Sequence, residues 1–185
     1  MSEVILQNAE ELMKKTIEKL KNEISTVRTG KASPSLLEEI KVNCYNSIMP
    51  LKQVAGITTP DHKTIEIKPW DNSIIQEIEK AIYKSSLGLT PVNDGKVIRL
   101  SIPPLTEERR QELVKFVNKI GENFRISIRN DRRNALEIIK KSHKEKKIND
   151  DMKFKLEEKL QKITDDYIKK IDEIISAKEK EILES

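Results

Sequence analysis

The sequence contains few of the residues that build disulfide frameworks, metal sites or catalytic centres. Its 185 residues include one cysteine, Cys44, and two histidines, His62 and His143. A single cysteine cannot form an internal disulfide, and these three residues do not supply the repeated Cys/His spacing of a zinc module. We therefore expect no bound metal and no cofactor.

Long apolar runs are also missing. No stretch has the roughly 18 consecutive apolar residues that a membrane-spanning helix needs. The opening residues Met-Ser-Glu-Val-Ile lack the basic and apolar parts of a secretory signal. The sequence thus predicts a cytoplasmic protein with no membrane partner.

Glycine, proline and aromatic residues are scarce, whereas charged residues are abundant. The chain has 5 glycines and 7 prolines, 4% aromatic residues and 36% charged residues. This composition is typical of long solvated helices. Together with the strand patterns described below, it predicts an α+β protein of one domain or two small ones, dominated by helix.

Three segments carry apolar residues at helical spacing. The first precedes Gly30, the second begins after Leu105, and the third follows a turn capped by Asn149. Because each apolar stripe needs a partner, we predict an elongated three-helix bundle built from residues 1–29 and 105–185. The stripes are Ile5, Ala9, Leu12, Thr16, Leu20, Ile24 and Val27; Leu113, Val117, Ile120, Phe124, Ile128, Ala135 and Ile138; and Leu156, Leu160, Ile163, Tyr167, Ile171 and Ile174.

The three predicted helices differ in length. The first has about 26 residues and the second about 40, a difference of roughly 20 Å. We therefore expect the first helix to leave the distal tip of the other two, at the turn that joins them, as a bare two-helix hairpin.

Residues 30–104 predict a small inserted α/β domain with β-sandwich-like strands. Apolar and polar side chains alternate over 40–44, 65–67 and 98–102, which is typical of short strands. Residues 74–85 have the spacing of an amphipathic helix. The small domain therefore interrupts the bundle.

Four residues of possible chemical interest are assigned structural roles. Cys44 lies on the apolar side of the first strand, so we expect a buried thiol and no nucleophile. Trp70 ends a strand and is predicted to anchor the packing of the small domain. His62 lies in a turn and His143 among lysines, where neither has a readable catalytic partner.

Both connections to the small domain contain residues that interrupt helices. Gly30 can end the first helix in the left-handed conformation, and Pro34 disfavours helix at Ser33. Pro103 and Pro104 lie in the second connection. Two linkers restrain twisting but permit bending, so we predict an L-shaped molecule with hinges at about 29–34 and 102–105.

Positive charge is concentrated in the second helix. Residues 105–147 hold 13 basic and 7 acidic side chains. Arg125, Arg129, Arg132 and Arg133 occupy an arc of about 100° on the face away from the apolar stripe. Guanidinium groups suit bidentate phosphate contacts, which favours binding to structured RNA. The alternative from spacing alone is a solvated face that is paired with Glu122, Asp131 and Glu137.

Motifs for enzymatic chemistry are incomplete. Neither Gly30-Lys31 nor Gly95-Lys96 has the flanking residues of a phosphate-binding P-loop. Carboxylates are scattered over helical faces without a distinct pair for acid/base work. We therefore expect no catalytic residues and no enzyme.

Four motifs in order along the chain resemble those of the bacterial ribosome recycling factor (ribosome-releasing factor) family. They are Arg28-Thr29-Gly30-Lys31-Ala32-Ser33-Pro34, Gly88-Leu89-Thr90-Pro91, Pro103-Pro104-Leu105-Thr106-Glu107-Glu108-Arg109-Arg110 and Arg129-Asn130-Asp131-Arg132-Arg133. The resemblance implies a monomer that binds the post-termination ribosome along large-subunit ribosomal RNA. It also implies that the chain works with elongation factor G and GTP to split the ribosome into subunits for a new round of translation.

The resemblance also assigns roles to residues. Arg129, Arg132 and Arg133 match the RNA-contacting arginines, with Arg125 on the same stripe. The implied hinge residues are Arg28, Thr29, Gly30, Lys31, Ser33, Pro34, Pro103 and Pro104. Two positions depart from the family pattern, Lys31 where arginine is frequent and Asn134 where an acidic residue often stands. The rival interpretation is a coiled-coil adaptor or chaperone-like protein that binds other proteins through its helical faces.

Overall fold

The computed structural model describes residues 2–184, which divide into two compact units. A helical unit contains residues 2–28 and 107–184, and a small unit contains residues 29–106. The predicted α+β class is confirmed. The elements in chain order are α1 (Ser2–Ser25), β1 (Lys41–Cys44), β2 (Ser47–Pro50), α2 (Leu51–Val54), β3 (Ala55–Thr58), β4 (Thr64–Pro69), α3 (Ile75–Lys84), β5 (Pro91–Asn93), β6 (Ile98–Ser101), α4 (Glu107–Lys144) and α5 (Asp150–Leu183).

The helical unit is a bundle of α1, α4 and α5. The predicted cap of the third helix is confirmed, because the Asn149 side chain accepts a hydrogen bond from the Met152 backbone N–H at 2.8 Å. Acidic residues begin both α4 and α5, where they complement the positive end of the helix dipole. None of the described helices has the length and apolarity needed to cross a membrane.

Several predicted core positions of the bundle are wrong by one residue. Leu12 and Ile138 are 49% and 52% exposed, whereas Met13, Ile17 and Ile139 are buried. Each helix packs against two neighbours, so the buried stripe follows the geometry of both partners rather than the most apolar residue of each turn. Thr164 is buried for the same reason. Its hydroxyl donates to the Leu160 carbonyl at 2.7 Å, which satisfies the polar group.

The expected bare tip at the turn between α4 and α5 is also wrong. Ile5, near the start of α1, packs on a core that contains Ile139, and Ile148 of the turn packs on the same core. Further along α1, Thr16 lies beside Asp131 of α4. The two helices are therefore antiparallel, and the extra length of α4 lies beyond the other end of α1. Sequence lengths alone did not specify which end would be uncovered.

The small unit contains a four-stranded antiparallel sheet of order β3-β4-β6-β5 and a separate β1-β2 hairpin. Buried side chains of β4 and β6 share a core with the apolar face of α3. The predicted strands β1, β4 and β6 and the predicted helix α3 are confirmed within one to three residues. Strands β2, β3 and β5 were not predicted, since each has only three or four residues and little alternation.

Two aromatic side chains of the small unit, Tyr45 in the β1-β2 turn and Trp70 after β4, lie at the surface. Tyr45 and Asn46 both have positive φ, 51° and 59°, as a tight hairpin turn requires. The Tyr45 hydroxyl donates to an Asp71 carboxylate oxygen at 2.5 Å. Trp70, which was predicted to anchor the packing of the small domain, is 71% exposed and lies outside its buried core. Its ring lies against Gly56 on the outer face of the sheet, because Trp70 follows β4 at an outward-facing position.

Candidate nucleic-acid interface

The four predicted arginines lie within two and a half turns of α4, but they differ in what holds them. Two of the four contact α5, two share one glutamate, and one, Arg133, has no hydrogen-bond or ion-pair partner among residues 2–184. Because a cation that is already paired with a carboxylate attracts a phosphate less strongly, these partners decide which arginines are available to a ligand.

Arg125 is the least accessible of the four and is held by carboxylates. Its side chain is only 20% exposed, and its guanidinium donates to Asp172 of α5 at 2.8 Å and to Glu122 at 3.1 Å. Burial lowers the pKa of Arg125, but the two carboxylates raise it by more, so the net pKa is raised. Arg125 therefore joins α4 to α5 and has few donors left for a ligand.

Arg129 is more exposed but shares a carboxylate with Arg125. Its guanidinium donates to the other Glu122 oxygen at 3.0 Å, and its side chain is 48% exposed. Hydrogen bonds from Arg129 and then Arg125 lower the pKa of Glu122. Pairing with Glu122, which was the alternative to a phosphate-binding face, is thus present for Arg125 and Arg129. Asp131, by contrast, lies on the α1 side of α4 next to Thr16 and Lys19.

Arg132 and Arg133 differ from the other two arginines in the partners that the described residues give them. Arg132 donates to the side-chain amide oxygen of Gln161 on α5 at 3.1 Å. Within residues 2–184, no carboxylate lies within ion-pair distance of Arg132 or Arg133, and Arg133 is exposed. The uncompensated positive charge of the stripe therefore lies at these two residues.

A shallow groove between α4 and α5 adds further cations beside Arg132. Lys140 and Lys153 line this groove together with Gln161. Its one carboxylate belongs to Glu157, which pairs with Lys153 at 3.4 Å. Lys153 and Gln161 could not be identified from the pattern of α4, because they belong to α5 and only the pairing of the two helices brings them to the arginine stripe.

The predicted hinge residues are held in different ways. Gly30 has φ +75°, and a Cβ atom there would lie 2.8 Å from the Cγ atom of Leu105, so the two linkers touch at this point. Ser33 caps the short 3-10 helix that Pro34 begins, and its hydroxyl accepts from the Ser35 N–H at 3.3 Å. Pro103 and Pro104 are exposed.

Both linkers are fixed to one loop of the small unit. The Ala32 N–H donates to the His62 carbonyl at 2.8 Å, and the Ile102 N–H donates to the Lys63 carbonyl at 2.7 Å. Residues 28–31 lie between the anchored Ala32 and helix α1, and residues 103–106 lie between the anchored Ile102 and helix α4. His62, predicted only as a turn residue, thus anchors the first linker through its backbone carbonyl.

The remaining residues of chemical interest have structural surroundings. Cys44 is 4% exposed within the core of the small unit, which confirms its predicted burial. The His143 ring nitrogen Nε2 lies 2.6 Å from an Asp150 carboxylate oxygen, which links the end of α4 to the start of α5.

Known proteins provide close matches along the whole chain. The family described as ribosome recycling factor matches residues 20–183. A ribosome-recycling factor from Desulfotalea psychrophila is 54% identical over 184 residues, covering 100% of each chain. The ribosome-recycling factor of Endomicrobium trichonymphae is 53% identical over 176 residues, covering 95% of each chain.

Solved structures give the same result. A solution structure of a ribosome recycling factor matches with a TM-score of 0.74 at 47% identity, covering 100% of this chain and 98% of that chain. A structure of the T. thermophilus ribosome recycling factor, with E. coli elongation factor G on the E. coli post-termination complex, matches with a TM-score of 0.63 at 42% identity. It covers 99% of both chains.

The fold and the arginine stripe define an α+β protein of two units with a helical face that suits a polyanion. The matches make the assignment specific. The chain belongs to the ribosome recycling factor family.

Proposed function

We propose that this chain recycles ribosomes. It binds the post-termination ribosome and, with elongation factor G and GTP, splits it into subunits for another round of translation. The observation that carries this proposal is the family match over residues 20–183. The T. thermophilus relative, which matches along nearly its whole length, has elongation factor G and a post-termination complex as its partners, and this supports both partners here.

Within this function the bundle is the part that binds large-subunit ribosomal RNA. Arg132 and Arg133 carry the contact, since neither has a carboxylate partner among the described residues. Arg129 contributes through the donors that Glu122 leaves open, and Arg125 mainly stabilises the α4–α5 pairing. RNA phosphates replace solvent counterions around these cations, so binding weakens with salt.

The hinge allows the small unit to move while the bundle stays bound to RNA. Because Ala32 and Ile102 are anchored to the loop at 62–63, bending is confined to residues 28–31 and 103–106. Gly30 is the glycine of these linkers. A side chain there would be strained by the positive φ and would collide with Leu105.

The chain acts as a translation factor and not as an enzyme. GTP hydrolysis belongs to elongation factor G, and the chain supplies a rigid arm and a phosphate-binding face. It acts as a monomer in the cytoplasm, where its ribosomal partner works.

Co-sedimentation with vacant ribosomes over a salt series tests the RNA-binding face. We expect Arg132→Ala to reduce affinity roughly tenfold and to lower the slope of log K against log salt by about one, because one phosphate contact is lost. Its thermal unfolding should match wild type. Wild-type affinity and salt slope in the variant would show that the arginine stripe is not part of the ribosome-binding interface.

A splitting assay with elongation factor G and GTP tests the hinge. Gly30→Ala introduces both backbone strain and a contact with Leu105, and we expect normal ribosome binding but slower splitting. Gly88→Ala is the matched control, since Gly88 has φ +65° and open space around its Cβ position. Equal splitting rates for the two variants would show that the linker geometry at Gly30 is unimportant.

A further inference from the structure

Two arginines of α4, Arg125 and Arg132, reach α5, and each contacts a chemically different group there. Arg125 meets the Asp172 carboxylate, whereas Arg132 meets the neutral amide of Gln161. A carboxylate both orients and neutralises a guanidinium, while an amide oxygen orients it and leaves its charge intact.

Gln161 is itself held in place. Its amide oxygen accepts from Arg132 Nη1 at 3.1 Å, and its amide nitrogen donates to an Asp165 carboxylate oxygen at 2.8 Å. Both ends of the amide are therefore engaged, which restricts the rotation of a long side chain that would otherwise be free. The Asp165 charge is kept one amide group away from Arg132.

The surroundings of Arg132 leave its charge uncompensated. The groove beside it contains Lys140 and Lys153, and the only carboxylate among its described lining residues, that of Glu157, is paired with Lys153. Glu158, Asp165 and Asp166 line a second groove that shares Gln161, but none of them is in ion-pair contact with Arg132, so a phosphate meets the guanidinium beside Lys140 and Lys153. The guanidinium that Gln161 holds thus borders the groove that contains Lys140 and Lys153.

We infer that Gln161 is a positioning residue for RNA binding, which orients the Arg132 guanidinium without neutralising it. The inference rests on the proposed function, because it requires Arg132 to contact ribosomal RNA. Gln161 acts through Arg132. A guanidinium that is oriented before binding loses less side-chain freedom when it meets a phosphate, so affinity depends on the residue that orients it.

Two variants separate orientation from charge. Gln161→Glu keeps an acceptor for Arg132 but adds a carboxylate, so ribosome affinity should fall severalfold and the salt slope should fall by up to about one. Gln161→Met keeps the length and helix propensity of the side chain but removes the acceptor. Its affinity should fall severalfold with the salt slope unchanged, because the charge on Arg132 remains.

The controls use the same co-sedimentation assay. Gln111→Glu adds the same charge at an exposed glutamine of α4, roughly 30 Å away along the helix, and should bind as wild type. In an Arg132→Ala background, Gln161→Met should have no further effect on affinity, whereas Gln161→Glu should retain only the part of its effect that acts on Lys140 and Lys153. Thermal unfolding of each variant checks that the bundle is intact.

The outcomes distinguish two failures. If Arg132→Ala weakens binding while both Gln161 variants bind as wild type, the positioning role of Gln161 is overturned and the proposed interface stands. If Arg132→Ala itself binds with wild-type affinity and slope, the proposed interface fails and the inference fails with it. Loss of affinity in both Gln161 variants, with the loss in Gln161→Met seen only when Arg132 is present, supports the inference.

Discussion

Arg125 and Arg132 lie on the same face of α4, two turns apart, and both reach across to α5. Arg125 is mostly buried between Asp172 and Glu122, whereas Arg132 borders an open groove and is bonded to an amide. Two identical residues in one stripe therefore have different roles. The neighbouring helix decides which arginine is paired with a carboxylate and which is bonded to a neutral amide.

Helices α4 and α5 approach each other closely at Gly121, one turn before Arg125. A Cβ atom on Gly121 would lie 2.8 Å from Ile175 Cγ1 and 3.7 Å from Arg125 Nη1. The absence of a side chain at Gly121 thus permits the short bridge from Arg125 to Asp172. At Arg132 no such close approach is required, because the longer glutamine spans the gap.

The largest effect is expected from closing that space. Gly121→Leu should destabilise the protein by roughly 1–3 kcal/mol, because Ile175 and the helix backbones must move apart. Denaturant unfolding measures the loss. Ser127→Leu, at an exposed position on the same helix, is the matched control and should change stability little. Similar losses in both variants would contradict the close approach at Gly121.

An intermediate effect is expected from the arginines themselves. Arg125→Ala should cost about 1 kcal/mol of unfolding free energy, since it removes a partly buried charge-assisted bond between α4 and α5. Arg132→Ala should cost less than about 0.5 kcal/mol, as is usual for accessible positions. Thermal unfolding of the two variants side by side tests the comparison. Equal destabilisation by the two substitutions would show that Arg125 and Arg132 do not differ in their contribution to bundle stability.

The smallest effect is expected from pH. Arg129 and Arg125 hold the pKa of Glu122 below its ordinary value of 4.5. Because the folded pKa is the lower one, the stabilisation is present above the unfolded pKa and is lost as the pH falls through the folded pKa. The stability difference between wild type and Glu122→Gln should therefore shrink below about pH 4.5. A difference that stays constant from about pH 3 to about pH 7 would show that Glu122 is not coupled to the arginines.

Much of the fold could be predicted from local patterns. Helix ends depend on residues near in sequence, such as Asn149, which caps α5 through the Met152 N–H three residues later. Strands with clear alternation, such as 65–67, were likewise predictable. The short strands around Ser47 and Ala55 were not, because they are defined by their partners and not by their own side chains.

The candidate site was predicted in part. Spacing on one helix placed the four arginines on a common face, but it could not show that Asp172 neutralises Arg125 or that Gln161 supports Arg132. Those partners are 47 and 29 residues away along the chain. The exposure of Trp70, by contrast, follows from the sequence, because the alternation over 65–67, continued to residue 70, places it on the outward side of β4.

The sequence by itself determined the helices, the main strands, the linkers and the location of the positive charge, because these depend on side chains a few residues apart. Only the tertiary structure decided which turn of each helix is buried, which end of α4 extends beyond α1, and which arginines lack a counter-charge. These properties depend on how separate helices pack against each other, and a single-helix pattern contains no information about the residues opposite it.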